Sequence, residues 1–240
     1  MAIVVLQHEE TCRPGRLGAT LRDHGFKLDI RRLDRGDPVP GDLDNVHGVV
    51  SLGGHQNVHD GHQWLAREKE FLKAAHEASL PVVGVCLGCQ LIAAALGGEV
   101  AKMSQPEMGY VEVSLTAAGQ TDVILSGIPW RSPQFSHHWY EVSKLPPGGV
   151  ALASSARCKV QAFRAGMRTY AFQYHFEADR TMADALIQQG RADLHQAGVS
   201  DQEYAKQADR SYEKFARLGD RLCLNIATLL MPRVAAAMAG

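Results

Sequence analysis

Two short segments of this sequence carry residues that could together perform nucleophilic catalysis. In PVVGVCLGCQLIAAALGG, Cys86 lies between a buried-strand pattern and a helix-forming pattern, with Gly84 and Gly88 two residues to either side. This G-x-nucleophile-x-G spacing is typical of a sharp strand-to-helix turn, where glycines avoid clashes and the central side chain is lifted above the sheet edge. A helix N-terminus favours thiolate over thiol and can stabilise an oxyanion. The segment therefore predicts a nucleophilic cysteine.

The segment YAFQYHFEAD offers the base that such a nucleophile needs. We predict a strand at Tyr170–Phe176, so that His175 and Glu177, two positions apart, point the same way. Glu177 can then hold the tautomer of the imidazole. Cys86, His175 and Glu177 would form a triad in which the third member orients the second.

Cys86 and Cys89 also have the C-x-x-C spacing of a redox pair. That motif needs an exposed first cysteine without the glycines of a sharp turn, so we interpret Cys89 as a packing residue on the following helix. The five cysteines are an odd number, and the start of the chain has no export signal. These features indicate reduced thiols and a cytoplasmic protein.

A histidine-rich loop offers an alternative chemistry. The segment GGHQNVHDGHQW contains His55, His59, Asp60 and His62, which could ligate zinc or another transition metal in a metal-dependent hydrolase. Its spacing matches no metalloprotease motif, and such a loop is more often a solvated turn. We therefore assign no metal ligand and no cofactor, and keep the metal-dependent hydrolase as an alternative.

The elements that must position these residues alternate along the first hundred residues, where apolar runs bounded by turn residues are separated by periodic amphipathic stretches. The predicted strands are Ile3–Leu6, Lys27–Ile30, Gly48–Leu52 and Pro81–Cys86, and the predicted helices are Arg16–His24 and Gln63–Ala78. This alternation indicates parallel strands joined by helical crossovers. Shorter β-rich runs from Glu99 to Glu177 indicate a mixed-strand extension, and the residues beyond Ala178 predict helices.

We expect one α/β domain at residues 1–180, with a C-terminal helical extension at 181–240 packed on it. The run LCLNIATLLMPRVAAAMAG is apolar, but Asn225, Pro232 and Arg233 interrupt it below the length that spans a bilayer, so we predict a core-facing helix. The 25 basic and 26 acidic residues nearly balance. Without a strong net charge, nucleic acid and anionic membranes are not expected partners.

Several segments resemble the class I, triad-type, glutamine amidotransferases, and especially stand-alone members similar to the amidotransferase domain of GMP synthetase. The matching segments are SLGG, PVVGVCLGCQLIAAALGG, EMGYVEV, LPPGGVALASS, QAFRAG and FQYHFE. Their order and separations agree with the family over about Val4–Ala178, well beyond a lone motif. The resemblance implies an α/β fold, a flavodoxin-like three-layer sandwich with a mostly parallel central sheet.

This resemblance also implies a reaction. Cys86 would attack the γ-amide of glutamine, or another γ-glutamyl group, and form a thioester. His175 would protonate the leaving ammonia and activate water, and Glu177 would orient His175. Gly54 and Leu87 would donate backbone N–H groups to the oxyanion.

The implied substrate contacts lie where the sequence departs from the family. Gln90 would contact the amino-acid end of the substrate. The family often has W-H-G-D or S-H-G-D where this chain has SHHW, and backbone groups there help to hold glutamine, which implies contacts at Ser136 and His137. His138 and Trp139 stand in the Gly and Asp places. The choice between glutamine and another γ-glutamyl compound therefore stays open.

The fate of the ammonia and the need for a partner also stay open. No segment resembles an ATP-binding or acceptor domain, so the ammonia would pass to a separate synthase subunit, or the enzyme would simply hydrolyse a small-molecule substrate. A non-catalytic regulatory module on the same fold is a further alternative. It predicts a Cys86 no more reactive than Cys12 or Cys158.

Overall fold

One sheet of nine strands runs through residues 1–231, the part of the chain that the structure, a computed structural model, describes. The strands are β1 (Ala2–Gln7), β2 (Leu28–Arg32), β3 (Val46–Ser51), β4 (Val82–Val85), β5 (Glu99–Leu115), β6 (Arg131–Lys144), β7 (Gly149–Ser155), β8 (Ala162–Ala165) and β9 (Thr169–Phe172). Their order is β2-β1-β3-β4-β9-β8-β7-β5-β6. The first five strands in this order, β2-β1-β3-β4-β9, pair in parallel. The pairs from β9 onwards, β9-β8-β7-β5-β6, are antiparallel.

Helices cover both faces of the sheet. They are α1 (Gly15–Asp23), α2 (Gln63–Glu77), α3 (Leu87–Ala95), α4 (Ala117–Thr121), α5 (Arg180–Gln189), α6 (Arg191–Gln196) and α7 (Asp201–Asn225). One core joins the sheet to Leu17 of α1 and Leu222 of α7. The other core joins it to Phe71 of α2 and Leu91 of α3. The architecture is therefore a three-layer sandwich.

Burial on both faces explains the apolar runs of the parallel strands. Val49, Val50, Val82 and Val83 are all fully buried at the centre of the sheet. Parallel strands covered by helices on both sides read as continuous apolar segments, because neither face meets water. The predicted strands and helices in the first hundred residues agree with the structure to within about two residues, as is usual for element ends.

The C-terminal helices pack on the antiparallel side through a third core. Tyr110 of β5 contacts Phe135 of β6 and Phe215 of α7, with both pairs of ring centroids 5.5 Å apart. A π-helical turn at Ile226–Leu230 extends α7 and buries Ile226, Ala227 and Leu230 in the first core. The predicted core-facing helix is observed to that point, while Pro232 and Arg233 lie outside the described residues. No helix in 1–231 is long and apolar enough to cross a membrane.

The predicted fold class is confirmed, but the strand predicted at Tyr170–Phe176 is wrong at its C-terminal end. β9 ends at Phe172. The carbonyl of Phe172 accepts a hydrogen bond of 2.8 Å from the amide of Cys86, the residue that follows β4. The amide of His175 then donates to the carbonyl of Phe135 at 2.8 Å. The chain therefore turns away from β4 before it reaches the predicted base.

Candidate active site

Cys86 lies in the turn between β4 and α3, with a backbone conformation that non-glycine residues rarely adopt. Its φ is 52° and its ψ is −105°. A β-carbon in this region is strained, and such strain is found at functional sites where the surrounding structure enforces it. The neighbouring strands enforce it here, because the amide of Cys86 is bound to Phe172 and the amide of Gly88 donates to Leu52 at 3.0 Å.

The flanking glycines are required by close backbone contacts. A β-carbon on Gly84 would lie 2.6 Å from the carbonyl oxygen of Gly88, and one on Gly88 would overlap the backbone of Ser51. The turn can thus form only with glycine at both positions. This is the structural basis of the spacing in the sequence.

His175 and Glu177 form a buried pair beside this turn. Nδ1 of His175 lies 2.8 Å from Oε1 of Glu177, and both side chains are almost completely buried. A β-carbon on Gly53 would lie 2.6 Å from Cε1 of His175 and 3.5 Å from Cβ of Cys86, so the two residues flank the same glycine. The structure therefore brings the three predicted catalytic side chains together.

The protonation of His175 depends on its two neighbours. Burial opposes the imidazolium, but the negative charges of Glu177 and Cys86, and hydrogen bonds with both, raise the pKa of His175 well above its usual value. Cys86 is also within reach of a second acceptor, since its thiol donates to the carbonyl oxygen of His137 at 3.7 Å. The pKa of His175 therefore depends on Cys86 as well as on Glu177.

The site opens into a cavity of about 440 Å³. Residues from the loop after β3, from α3, β5, β6 and α6 line it: Gly54, His55, Gln56, Cys86, Leu87, Gln90, Lys102, Met108, His137, His138, Trp139, Tyr140, Asp193 and Gln196. The volume is in the range that holds small-molecule ligands. Asp193 and Gln196 belong to the C-terminal helices, and no motif in the sequence indicated them.

The two predicted oxyanion donors line this cavity next to Cys86. Leu87 is the first residue of α3, so its N–H has no partner within the helix. Gly54 lies in the loop after β3, and a β-carbon there would lie 2.8 Å from Cβ of His8. Both predicted oxyanion donors therefore lie in the wall of the cavity that Cys86 also lines.

Gln90 is fixed by two hydrogen bonds from its amide nitrogen. Nε2 donates to the carbonyl of Tyr140 at 3.0 Å and to Oε1 of Gln173 at 3.2 Å. An amide nitrogen carries two hydrogens, so both are used. The side-chain oxygen of Gln90 is therefore left as an acceptor in the cavity wall.

Three of the four residues of the segment SHHW line the cavity, and Ser136 does not. Ser136 pairs with Gly109 of β5, is fully buried and does not line the cavity. His137 does line it, and burial, followed by the nearby charge of His175, lowers the pKa of His137 to about 4. His137 is therefore a neutral side chain at physiological pH. Trp139 lies under the ammonium of Lys102, 4.7 Å from the ring centroid.

His138 belongs to a buried polar network that the sequence did not indicate. Its Nε2 lies 3.4 Å from Oε2 of Glu107, and its Nδ1 lies 3.0 Å from the carbonyl oxygen of Tyr140. Ser155 and Gln161 donate to the same carboxylate. Burial opposes the charge of Glu107, but the hydrogen bond and charge of His138, with the other two donors, lower the pKa of Glu107.

The histidine-rich loop is not assembled as a metal site. His55 is bound to Glu9 at 2.9 Å, and His62 stacks on Trp64 with ring centroids 5.5 Å apart. Asp60 accepts hydrogen bonds from Asn57. Within residues 1–231, no three His, Cys, Asp or Glu side chains are grouped so as to hold a metal ion.

Cys89 is fully buried one helical turn after Cys86. Burial, with the nearby charges of Cys158 and Cys86, raises the pKa of Cys89 well above its usual value. A buried thiol of this kind is unreactive and packs as a small apolar group. The two cysteines therefore have different environments despite their C-x-x-C spacing.

Comparisons with known proteins agree with this geometry. Residues 16–191 match the family model of glutamine amidotransferase class-I. The glutamine amidotransferase-like protein YfeJ of Salmonella typhimurium strain LT2 is 28% identical over 82% of this chain and 84% of its own length. One of the subunits of the glutamine-hydrolyzing GMP synthase from Archaeoglobus fulgidus is 36% identical over 66% of this chain and 79% of its own.

A solved structure extends the likeness through the C-terminal helices. The glutamine amido transferase from Methylobacillus flagellatus superposes with a TM-score of 0.84 at 25% identity, over 93% of each chain. At that coverage the likeness extends beyond residue 191, where the family-model match ends. The chain belongs to the class-I glutamine amidotransferase family.

Proposed function

We propose that this chain hydrolyses the γ-amide of glutamine or of a γ-glutamyl compound through a thioester on Cys86. One observation carries the proposal: the buried His175–Glu177 pair, 2.8 Å apart, lies beside the strained Cys86 turn, and Cys86 lines the cavity. A nucleophile, a base and a group that orients the base are the parts that acyl transfer requires.

In the first half of the reaction, the thiol proton of Cys86 moves to His175 and the sulfur attacks the γ-carbonyl carbon. The N–H groups of Gly54 and Leu87 hold the oxyanion of the tetrahedral intermediate. The carbon–nitrogen bond then breaks, and His175 gives its proton to the leaving ammonia or amine. The product of this step is a γ-glutamyl thioester on Cys86.

In the second half, His175 takes a proton from water, and the resulting hydroxide attacks the thioester carbonyl. The same two N–H groups hold the second oxyanion. The carbon–sulfur bond breaks, glutamate leaves, and the proton on His175 restores the starting state with Cys86. Glu177 keeps Nδ1 of His175 in place through both halves, so that Nε2 faces the reacting atoms.

The charges of the cavity wall support a γ-glutamyl substrate. The α-end of a γ-glutamyl group carries an ammonium and a carboxylate. Asp193 and Lys102 line the cavity with opposite charges, and the free oxygen of Gln90 can accept from an ammonium. Ser136 lies outside the cavity and is not part of the proposed contacts.

The names of the relatives favour a second candidate, the supply of ammonia to a partner. Several relatives are subunits of glutamine-hydrolyzing GMP synthases, so a separate synthase chain could accept ammonia from this chain as well. In that case hydrolysis by the isolated chain is slow and rises when the partner is added. High activity of the isolated chain on γ-glutamyl peptides or amines favours the stand-alone hydrolase.

A substrate screen with matched cysteine variants tests the proposal. Release of glutamate from glutamine, γ-glutamyl dipeptides and γ-glutamyl amines is measured for the wild type, Cys86→Ala and Cys89→Ala. We expect the Cys86 variant to be inactive on every substrate and the Cys89 variant to retain activity, because Cys89 is buried away from the cavity. Equal turnover by wild type and Cys86→Ala contradicts the mechanism.

A further inference from the structure

A buried charged pair lies behind the loop that carries Gly54. His8 follows β1 and Glu68 is on α2, and both side chains are fully buried with Nε2 of His8 2.8 Å from Oε2 of Glu68. The hydroxyl of Ser51 donates to the other carboxylate oxygen at 2.6 Å. Trp64 stacks on the His8 ring with centroids 5.1 Å apart. Both oxygens of the carboxylate are therefore occupied.

The contacts of His8 define its charge. Its second ring nitrogen, Nδ1, lies 3.2 Å from the carbonyl oxygen of Gly53. The partners of the ring, a carboxylate and a carbonyl, accept hydrogen bonds, so these contacts favour the imidazolium form, which donates from both nitrogens. Burial opposes this charge, but the charge and hydrogen bond of Glu68 raise the pKa of His8 above its usual value.

The bond from His8 sets the direction of the Gly53–Gly54 peptide. The described residues contain no cis peptide bond, and in a trans peptide the carbonyl and the following N–H point in opposite directions. With its carbonyl turned towards His8, the peptide turns the N–H of Gly54 away from His8. Gly54 lines the cavity together with Cys86 and Leu87.

We propose that His8, held by Glu68, is a positioning residue that fixes the Gly53–Gly54 peptide with the Gly54 N–H aimed into the oxyanion hole. This inference rests on the proposed function, since it assigns a role within the same reaction. The donor direction is set in advance, so the peptide does not have to rotate when the tetrahedral intermediate forms.

The loop cannot supply this rigidity from its own side chains. A β-carbon on Gly53 would lie 2.6 Å from Cε1 of His175, and one on Gly54 would lie 2.8 Å from Cβ of His8. Two successive glycines have the widest backbone freedom of any dipeptide. The orientation of the Gly53–Gly54 peptide is therefore selected by a hydrogen bond from outside the loop, and His8 is the rigidly held donor.

The charged pair is a costly way to fill this space unless it has such a role. Two buried charges lose their hydration, and apolar side chains of similar volume often stabilise a fold equally well or better. An apolar residue at His8 would, however, leave the carbonyl of Gly53 without its donor. The position thus requires a hydrogen-bond donor, and the Glu68 carboxylate keeps both nitrogens of that donor protonated.

Two substitutions at His8 separate the donor from the rest of the side chain. Asparagine places its amide nitrogen near the position of Nδ1, and glutamine places it near Nε2. We expect His8→Gln, which loses the bond to Gly53, to lower kcat about 100-fold with KM unchanged. His8→Asn keeps that bond and should recover most of kcat. His76→Gln is the matched control, because His76 is on α2, like Glu68, and its Nδ1 lies 2.8 Å from Oγ1 of Thr169, away from the cavity.

Two probes of Cys86 distinguish positioning from a general structural effect. Glutamate γ-semialdehyde forms a thiohemiacetal whose oxygen occupies the oxyanion hole, whereas iodoacetamide alkylates the sulfur with loss of iodide and forms no oxyanion. His8→Gln should lose aldehyde affinity in parallel with kcat and keep the wild-type alkylation rate. A folded His8→Gln enzyme with wild-type kcat, or an equal loss in both probes, overturns the proposal. If His8→Gln does not fold, the double variant His8→Leu/Glu68→Gln removes the donor to Gly53 together with the buried charge, and the same pattern is expected.

A crystal structure of His8→Gln gives a result that does not depend on turnover. We expect the Gly53–Gly54 peptide to be rotated or split between two orientations, and an unchanged peptide overturns the proposal. Failure of the proposed function gives a different result, because Cys86→Ala then hydrolyses the substrate at the same rate as the wild type.

Discussion

Nδ1 of His175 lies 2.8 Å from Oε1 of Glu177, although the strand that leads to them ends at Phe172. The two side chains meet after a change of direction that brings the amide of His175 to the carbonyl of Phe135 on β6. The pairing of base and carboxylate thus depends on the junction between the parallel and antiparallel halves of the sheet. It does not depend on the alternation of a single strand.

The first prediction concerns this pair. Glu177→Gln keeps the shape of the side chain but removes the charge that stabilises the imidazolium of His175. We expect kcat for γ-amide hydrolysis to fall about 10²- to 10⁴-fold with a smaller change in KM. Steady-state release of glutamate measures this. A folded Glu177→Gln enzyme with wild-type kcat would show that Glu177 has no part in the reaction.

The second prediction concerns the titration of His175. Its pKa is raised by the charge and hydrogen bond of Cys86 as well as by Glu177, so removing the sulfur should lower it. In Cys86→Ala the ring of His175 should therefore lose its proton at a lower pH than in the wild type, as followed by NMR of the histidine ring carbons. Cys89→Ala is the control and should leave the titration unchanged. Identical titrations for the wild type and Cys86→Ala would contradict the contact.

The proximity of Cys86, His175 and Glu177, the proposed triad, could be predicted because the signals are local. The glycines around Cys86 identified the turn, since each β-carbon would meet backbone atoms. The His-x-Glu spacing identified His175 and Glu177 as neighbours, even though the strand proposed to align them is shorter than predicted. Local sterics and short spacings are properties that a sequence displays directly.

The remaining parts of the site depend on contacts between distant segments. His8 and Glu68 are 60 residues apart, and His138 and Glu107 face each other across the β5–β6 pair. Asp193 reaches the cavity only because the C-terminal helices fold back over it. Glu107 and His138 lie in the segments EMGYVEV and SHHW, but nothing in either segment indicates that the two side chains pair. His8, Glu68 and Asp193 belong to no recognisable motif, so only the folded chain brings them to the site.

The third prediction concerns acid stability. The pKa of Glu107 in the folded state is below its ordinary value, so this group contributes stability that is present above the unfolded pKa and is lost as pH falls through the folded pKa. Glu107→Gln should be less stable at pH 7 by about 1–3 kcal/mol and should lose less further stability on acidification to about pH 4.

Urea unfolding at the two pH values measures this difference. Glu112→Gln is the matched control, because Glu112 is on the same strand with its side chain 67% exposed. That control should resemble the wild type at both pH values. An acid-induced loss of stability in Glu107→Gln as large as that of the wild type would contradict the assignment.

The fourth prediction concerns the charges at the cavity wall. Asp193→Asn and Lys102→Met should each raise KM for a γ-glutamyl substrate about two- to fivefold with kcat unchanged, because we propose that these side chains contact the end of the substrate that does not react. Lys144→Met is the control, since Lys144 is paired with Glu99 outside the cavity. Unchanged KM in both cavity variants would show that the α-end of the substrate lies elsewhere.

The covalent intermediate on Cys86 is the central claim, and intact-protein and peptide mass spectrometry after rapid acid quenching tests it most directly. During turnover, the wild type and Cys89→Ala should both carry the mass of one γ-glutamyl group, located on the peptide that contains Cys86. Cys86→Ala should carry no adduct and release no glutamate. Turnover by Cys86→Ala at the wild-type rate would contradict the account.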